Sequence, residues 1–221
     1  MDMKGFYTLI ISELIGGEKA VKEPRRVALS ILFDIYGRNL PDVPTLRAFK
    51  ERELELLYKT WEKGINSPYS SSAGRLFDAF ASITGIRQLL SYEGQSGMIM
   101  ENFYDWNVKD YYPFEIKEST IDWRPLFEAL IKDKSDISTK VSRFINSLAC
   151  VVLESYKQIG ENLKIGLSGG VFQSKPLTER LLYTLRENST EVIIHRKVPP
   201  NDGGLSLGQI MAVCNLTEKM F

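Results

Sequence analysis

Leu163 to Glu179 reads LKIGLSGGVFQSKPLTE: a short apolar run, the turn Ser168-Gly169-Gly170, then a helix carrying Leu177, Leu181 and Leu182. A strand, a glycine turn and a helix in this order form a cradle for a phosphate group. Main-chain N–H groups at the turn and the positive end of the following helix favour an anionic oxygen, and glycine lets those amides point at it. Neither GxGxxG nor GxxxxGK[ST] is present, so the signal is a general one, and a glycine turn with no ligand fits the same residues.

Downstream, Arg196 to Gln209 reads RKVPPNDGGLSLGQ. Pro199 and Pro200 fix φ, Asn201 and Asp202 tolerate turn conformations, and Gly203 and Gly204 allow close backbone approach to a ligand. The pattern holds Asp202 on a rigid turn at a helix start, and an ordinary turn with Asp202 as N-cap satisfies it too. Between the two turns the apolar strand Glu191–His195 ends on the only histidine, read as a hydrogen-bonded structural residue. Strand, helix, strand and helix thus alternate, which predicts an α/β unit with a parallel strand pair.

Upstream the chain is mainly helical. Ile137 to Ile159 carries Val141, Phe144, Leu148 and Val152 at helical spacing, a core stripe. Helices are expected over Pro24–Tyr36 and, as one unit, over Thr45–Lys63, with Tyr111–Ile116 pairing as a strand with Ser119–Trp123. Phe6–Ile15 is apolar but short and contains Glu13; it reads as an orphaned strand or helix, neither signal peptide nor membrane span. In Asn66 to Gly85, NSPYSSSAGRLFDAFASITG, a serine-rich turn leads into a helix near Ala73 whose apolar face is Leu76, Phe77, Phe80 and Ile83. Gly74 and Asp78, four residues apart, share the opposite face, where a carboxylate beside bare backbone suits a pair of ribose hydroxyls. A solvated helix face is the competing reading.

Across 221 residues, 43% hydrophobic and 25% charged, 28 basic residues balance 28 acidic ones. The chain can bury a core, and zero net charge removes any bulk attraction to nucleic acid or membrane. Lys22, Arg25 and Arg26 with Glu23 read as a solvated helix start, and Arg196 with Lys197 as a pair that could face phosphate. Cys150 and Cys214 lie far apart in apolar helical segments and form no metal framework; buried, reduced thiols of a cytoplasmic protein are expected.

SSSAGRLFDA, YEGQ at Tyr92–Gln95, LSGGVFQ at Leu167–Gln173 and VPPNDGGLSLGQ at Val198–Gln209 occur in one order, with GGEKAVKEPRRVAL at Gly16–Leu29. Together they resemble the C-terminal domain of the nickel-iron hydrogenase maturation carbamoyltransferases, from about Gly16 to the end. The resemblance implies an α/β fold: an RNase H-like lobe of an actin-like ATPase with a large helical part, incomplete without the preceding lobe. It implies a single domain over 1–221, with a mainly helical part at 16–135 that holds the nucleoside-contacting helix. An α/β part at 136–221 then holds the phosphate and metal turns.

It further implies that carbamoyl phosphate and ATP give carbamoyl-adenylate upstream, and that this lobe passes the carbamoyl group to the C-terminal cysteine thiol of a partner protein for cyanide synthesis. Carried over residue by residue, Gly74 and Asp78 match the nucleoside-contacting helix and Gly169 and Gly170 the phosphate-facing glycines. Ser174 stands in the nucleotide site where the family usually has asparagine, and Asp202 matches a ligand of a divalent metal ion. The sequence departs from the family at Ile145, where histidine is common, and lacks the His-x-x-x-His pair of the preceding lobe. One aspartate does not retain a metal ion, so the chain alone is expected to be a poor transferase. A non-catalytic binding or assembly module is the alternative, and a homodimer covering the face of the missing lobe is expected. A generic actin-like kinase lobe is a third reading, against which VPPNDGG argues.

Overall fold

The computed structural model describes residues 7–10, 12–160 and 163–218, and the side chains through 214. At the amino end two short strands, β1 (Thr8–Leu9) and β2 (Ser12–Glu13), precede α1 (Glu18–Lys22) and α2 (Pro24–Tyr36). Then come α3 (Pro44–Arg47), α4 (Glu51–Glu62), β3 (Tyr69–Ser70), α5 (Ala73–Ile83) and α6 (Gln95–Glu101). The hairpin β4 (Glu115–Lys117) and β5 (Thr120–Asp122) leads to α7 (Arg124–Lys132) and the long α8 (Ile137–Ile159). Last come β6 (Ile165–Leu167), α9 (Lys175–Glu187), β7 (Val192–Ile194) and α10 (Leu205–Glu218).

Local chemistry sets these bounds. Pro24 opens α2 at a position where its missing N–H costs nothing, and Gly37, at φ 57°, closes it. Asp136 caps α8 by accepting the Thr139 amide at 3.0 Å. The main core joins α2, α5, α7 and α8 around Phe80, Phe127, Phe144 and Ile145, with Phe80 and Phe144 ring centroids 4.6 Å apart. Ile145 is fully buried in that core, so a histidine there would have met apolar neighbours. A second cluster of Ala149, Leu153, Leu167, Leu181 and Leu185 holds α9 and the parallel β6–β7 pair against α8, with Ile165 opposite Val192.

Several sequence expectations are corrected. Thr45–Lys63 is two helices, because Arg25 takes the Ala48 carbonyl out of the helical ladder and stacks 4.3 Å over the Phe49 ring. The strand expected from Tyr111 begins only at Glu115: the Tyr112 amide donates to Ser147 Oγ at 2.9 Å, and Pro113 has no N–H. The described part of Phe6–Ile15 is not orphaned, since β1 pairs in parallel with β5 and β2 antiparallel with β3; Phe6 and Ile11 lie outside the described residues. Arg25 and Arg26 are not a solvated helix start but close on Glu23 Oε2 at 2.9 and 2.8 Å. Cys150 is half-buried and Cys214 exposed, so only the first approaches the buried thiol expected.

α10 is uncharged from Leu205 to Thr217, and Leu205, Ile210, Met211 and Val213 are each more than half exposed. A run of exposed apolar side chains along one helix is usually covered by a partner surface.

Candidate functional site

The Ser168–Gly170 turn follows β6, and a 3₁₀ turn, Gly170–Gln173, leads from it into α9. Gly169 sits at φ 119°, ψ 159°, a region open essentially to glycine, and its N–H donates to the Pro200 carbonyl at 2.7 Å. The two glycine turns are therefore tied directly to each other. His195 Nε2 lies 3.3 Å from Ser168 Oγ across the same junction, and both side chains are at the surface. A Cβ on Gly170 would meet nothing within 4 Å, so the turn keeps open space on that side.

In the Pro-Pro turn the N-cap is Asn201, whose Oδ1 accepts the Gly203 amide at 3.1 Å; Asp202 is not the cap. The Asp202 carboxylate is exposed. Gly203 and Gly204 have a packing role: a Cβ on Gly203 would stand 3.0 Å from Pro199 Cγ, and one on Gly204 3.0 Å from the Pro199 carbonyl oxygen. The closeness that glycine permits here is first of all the turn's approach to itself.

α5, which carries Gly74 and Asp78, packs beside the Gly170–Gln173 turn. Asp78 is not on a solvated face. It is 2% exposed, accepts a hydrogen bond from Ser96 Oγ on Oδ1 at 2.6 Å, and has Arg75 Nη1 2.9 Å from Oδ2. The reason is α6, which lies so close over α5 that a Cβ on Gly97 would be 3.6 Å from the Phe77 ring. Burial raises the Asp78 pKa, with Arg75 and Ser96 opposing it and Glu93 adding to it.

Gly74 is open, with only Ser72 Oγ at 3.4 Å from an added Cβ. Ser174 is buried, and its Oγ has no hydrogen-bond partner among the described residues. Glu101 links α6 to this corner by accepting the Lys175 amide at 3.1 Å. Sequence reading missed Ser96 and Asn201. Ser96 directly follows the YEGQ motif, and Asn201 begins an Asn-Asp-Gly turn in which the side-chain oxygen of either Asn201 or Asp202 could cap.

A divalent ion fits poorly with this chain by itself. Among the described residues no group of three or more His, Cys, Asp or Glu side chains converges, and Asp202 alone gives one of the six or more oxygens a hard cation takes.

The parallel β6–β7 pair, the glycine turn into α9 and the helical layer beside them make a mixed α/β lobe, and comparison with known proteins gives its class as a Kae1-like carbamoyltransferase domain, in keeping with the RNase H-like lobe that the resemblance implies. The family described as "Carbamoyltransferase, Kae1-like Domain, second subdomain" matches residues 2–209. Carbamoyltransferase HypF of Rhodobacter capsulatus is 33% identical over 98% of this chain and 29% of its own length. That of Synechocystis is 29% identical over 90% of this chain and 28% of its own length. The crystal structure of full-length HypF in its phosphate- and nucleotide-bound form superposes with a TM-score of 0.83 at 31% identity, covering 92% of this chain and 33% of that one. The chain belongs to this carbamoyltransferase family, and it spans less than a third of the length of these curated relatives.

Proposed function

We propose that the chain is the nucleotide-side lobe of a carbamoyltransferase of hydrogenase maturation, acting with a preceding lobe of the same family. The supporting observation is the hydrogen bond from Gly169 to Pro200, which joins the phosphate turn, itself packed beside α5, to the Asp202 turn. In this reading the Gly169-Gly170 turn faces the phosphate of carbamoyl-adenylate: the Gly169 amide holds the turn in place through Pro200, the Gly170 amide is directed at the phosphate, and the orphaned hydroxyl of Ser174 lies nearby. Gly74 and Asp78 receive the nucleoside, and Asp202 adds one oxygen to a divalent ion whose other ligands lie outside this chain.

The nucleophile comes from a partner with a C-terminal cysteine. Its thiolate, having lost its proton to solvent, attacks the carbamoyl carbon; a C–S bond forms, the C–O bond to the phosphate breaks, and AMP leaves with the electron pair. The lobe contributes position and electrostatic stabilisation. The exposed apolar side chains of α10, Leu205, Leu207, Ile210 and Met211, are where the preceding lobe, or a second copy, would cover apolar surface. Among the described residues no helix is long and apolar enough to cross a membrane, and a cytoplasmic place is part of the proposal.

Calorimetric titration with ATP and a divalent ion, on the chain alone and with the preceding lobe of a relative added, tests this reading. Binding that needs the added lobe and weakens in Asp202→Ala supports it. No binding in either setting leaves the second reading, a binding or assembly module, which the lone Asp202 carboxylate favours.

A further inference from the structure

The carboxylate of Asp78 is engaged unequally at its two oxygens. Ser96, itself 1% exposed, donates to Oδ1 at 2.6 Å, the length of a strong charge-assisted bond. Oδ2 is buried and has the Arg75 guanidinium at 2.9 Å, yet without hydrogen-bond alignment, so its acceptor direction is unfilled. A buried carboxylate oxygen with a counter-charge and no aligned donor is a costly arrangement unless something else donates to it.

We propose that Ser96 and Arg75 are positioning residues for Asp78: Ser96 fixes Oδ1, Arg75 supplies the charge that keeps the group ionised, and Oδ2 is left to accept from a sugar hydroxyl of the nucleoside. This rests on the nucleotide reading given above. Arg75 is also the cover that yields. Beyond Asp78 its side chain has one further hydrogen bond among the described residues, to the Val21 carbonyl at 3.3 Å, whereas Ser96 stands on α6 and is buried. Gly74, one turn earlier on the same face, leaves room for the sugar as the guanidinium slides aside.

The charged groups that face Asp78 are Arg75 on its own helix and Glu93 in the segment before α6, with Ser96 the hydrogen-bond donor. Removing Arg75 leaves burial and Glu93 both raising the Asp78 pKa, opposed by Ser96 alone. The titration midpoint of Asp78 then rises, and any hydroxyl bond that needs the ionised carboxylate is present above that midpoint and lost below it.

The test uses the full chain with the preceding lobe of a relative added and two probes, adenosine and 2′,3′-dideoxyadenosine, followed by chemical-shift titration, with the Asp78 carboxyl carbon titrated by NMR on the same samples. The wild type is expected to prefer adenosine by roughly tenfold or more, the scale of one hydrogen bond to a charged group. Ser96→Ala and Arg75→Gln should each bring that preference towards unity. In Arg75→Gln the Asp78 midpoint should rise and adenosine binding should become pH-dependent, while Arg75→Lys, which keeps the charge, should restore the midpoint. A preference unchanged in both variants overturns the proposal, and so does a midpoint that Arg75→Gln does not move. If the wild type binds adenosine without preferring it to the dideoxy analogue, the assignment of Oδ2 falls while the nucleotide reading stands. If it binds neither probe, both fall.

Discussion

The Gly169 amide and the Pro200 carbonyl meet at 2.7 Å, and through that one bond the turn after β6 fixes the turn before α10. It forms because Gly169 adopts φ 119°, ψ 159°, where a Cβ is not tolerated. Gly169→Ala is expected to cost about 1–3 kcal/mol, the usual penalty for such backbone in a residue with a side chain. Gly170→Ala, at a position with ordinary φ and open space around it, should leave the thermal midpoint nearly unchanged. Thermal unfolding of both variants checks the contrast; equal losses would mean that the turn does not depend on Gly169.

Asp202 and Gly204 make a second pair of opposites. The Asp202 carboxylate is exposed, so Asp202→Ala should change stability by no more than about 0.5 kcal/mol. Gly204→Ala would press a methyl to 3.0 Å from the Pro199 carbonyl oxygen, a backbone atom that cannot rotate away. Loss of stability in Gly204→Ala but not in Asp202→Ala, measured by denaturant unfolding, would separate the scaffold of the turn from its functional group.

How much of this was legible in the sequence depended on the range of the interaction that decides each element. The α/β alternation from Leu163 onward was readable because strand, glycine turn and amphipathic helix are each local patterns. Helical spacing put Gly74 and Asp78 on one face correctly, but it could not show that α6 lies over that face, since no local signal brings Ser96 to a residue eighteen positions earlier. The break at Ala48 was hidden for the same reason: it is made by Arg25, on another helix. The exchange of Asp202 for Asn201 as the cap is different, a choice between neighbours of nearly equal capping preference that only geometry settles.

Acid stability should depend on Asp133. Although burial raises its pKa, hydrogen bonds from Ser135 and Tyr112 and the Arg143 contact at 2.8 Å outweigh this and hold the carboxyl well below the usual range. A carboxylate with a depressed folded-state pKa stabilises the fold fully above its unfolded value, near 3.8, and the contribution is lost as pH falls through the lower folded value. Asp133→Asn should therefore lower stability at pH 7 and flatten its pH dependence below about pH 4. Unfolding free energy followed from pH 7 to pH 2 shows this, and a variant with the wild-type acid slope would count against it.

Arg180 on α9 is 5% exposed and ties that helix to the segment after α6. Its guanidinium donates to the Tyr104 hydroxyl and, at 3.1 Å, to the Val108 carbonyl, and it stacks over the Trp106 ring with 4.9 Å to the centroid. Tyr104 in turn donates to Asn146 on α8 at 3.0 Å, so one cation links α9, α8 and the loop between α6 and β4. Arg180→Ala should cost about 2–4 kcal/mol, because it removes stacking and leaves polar groups in a buried setting without their donor. Arg180→Lys should recover little, since an ammonium cannot hold two acceptors in one plane while stacking on a ring. The loss should also be local: α9 begins immediately after the Gly170–Gln173 turn, so slackening it loosens the turn that Gly169 organises. Hydrogen exchange should accelerate in 168–185 and 104–110 while α2 and α5 keep their protection; uniform acceleration across the chain would instead place Arg180 in the global core.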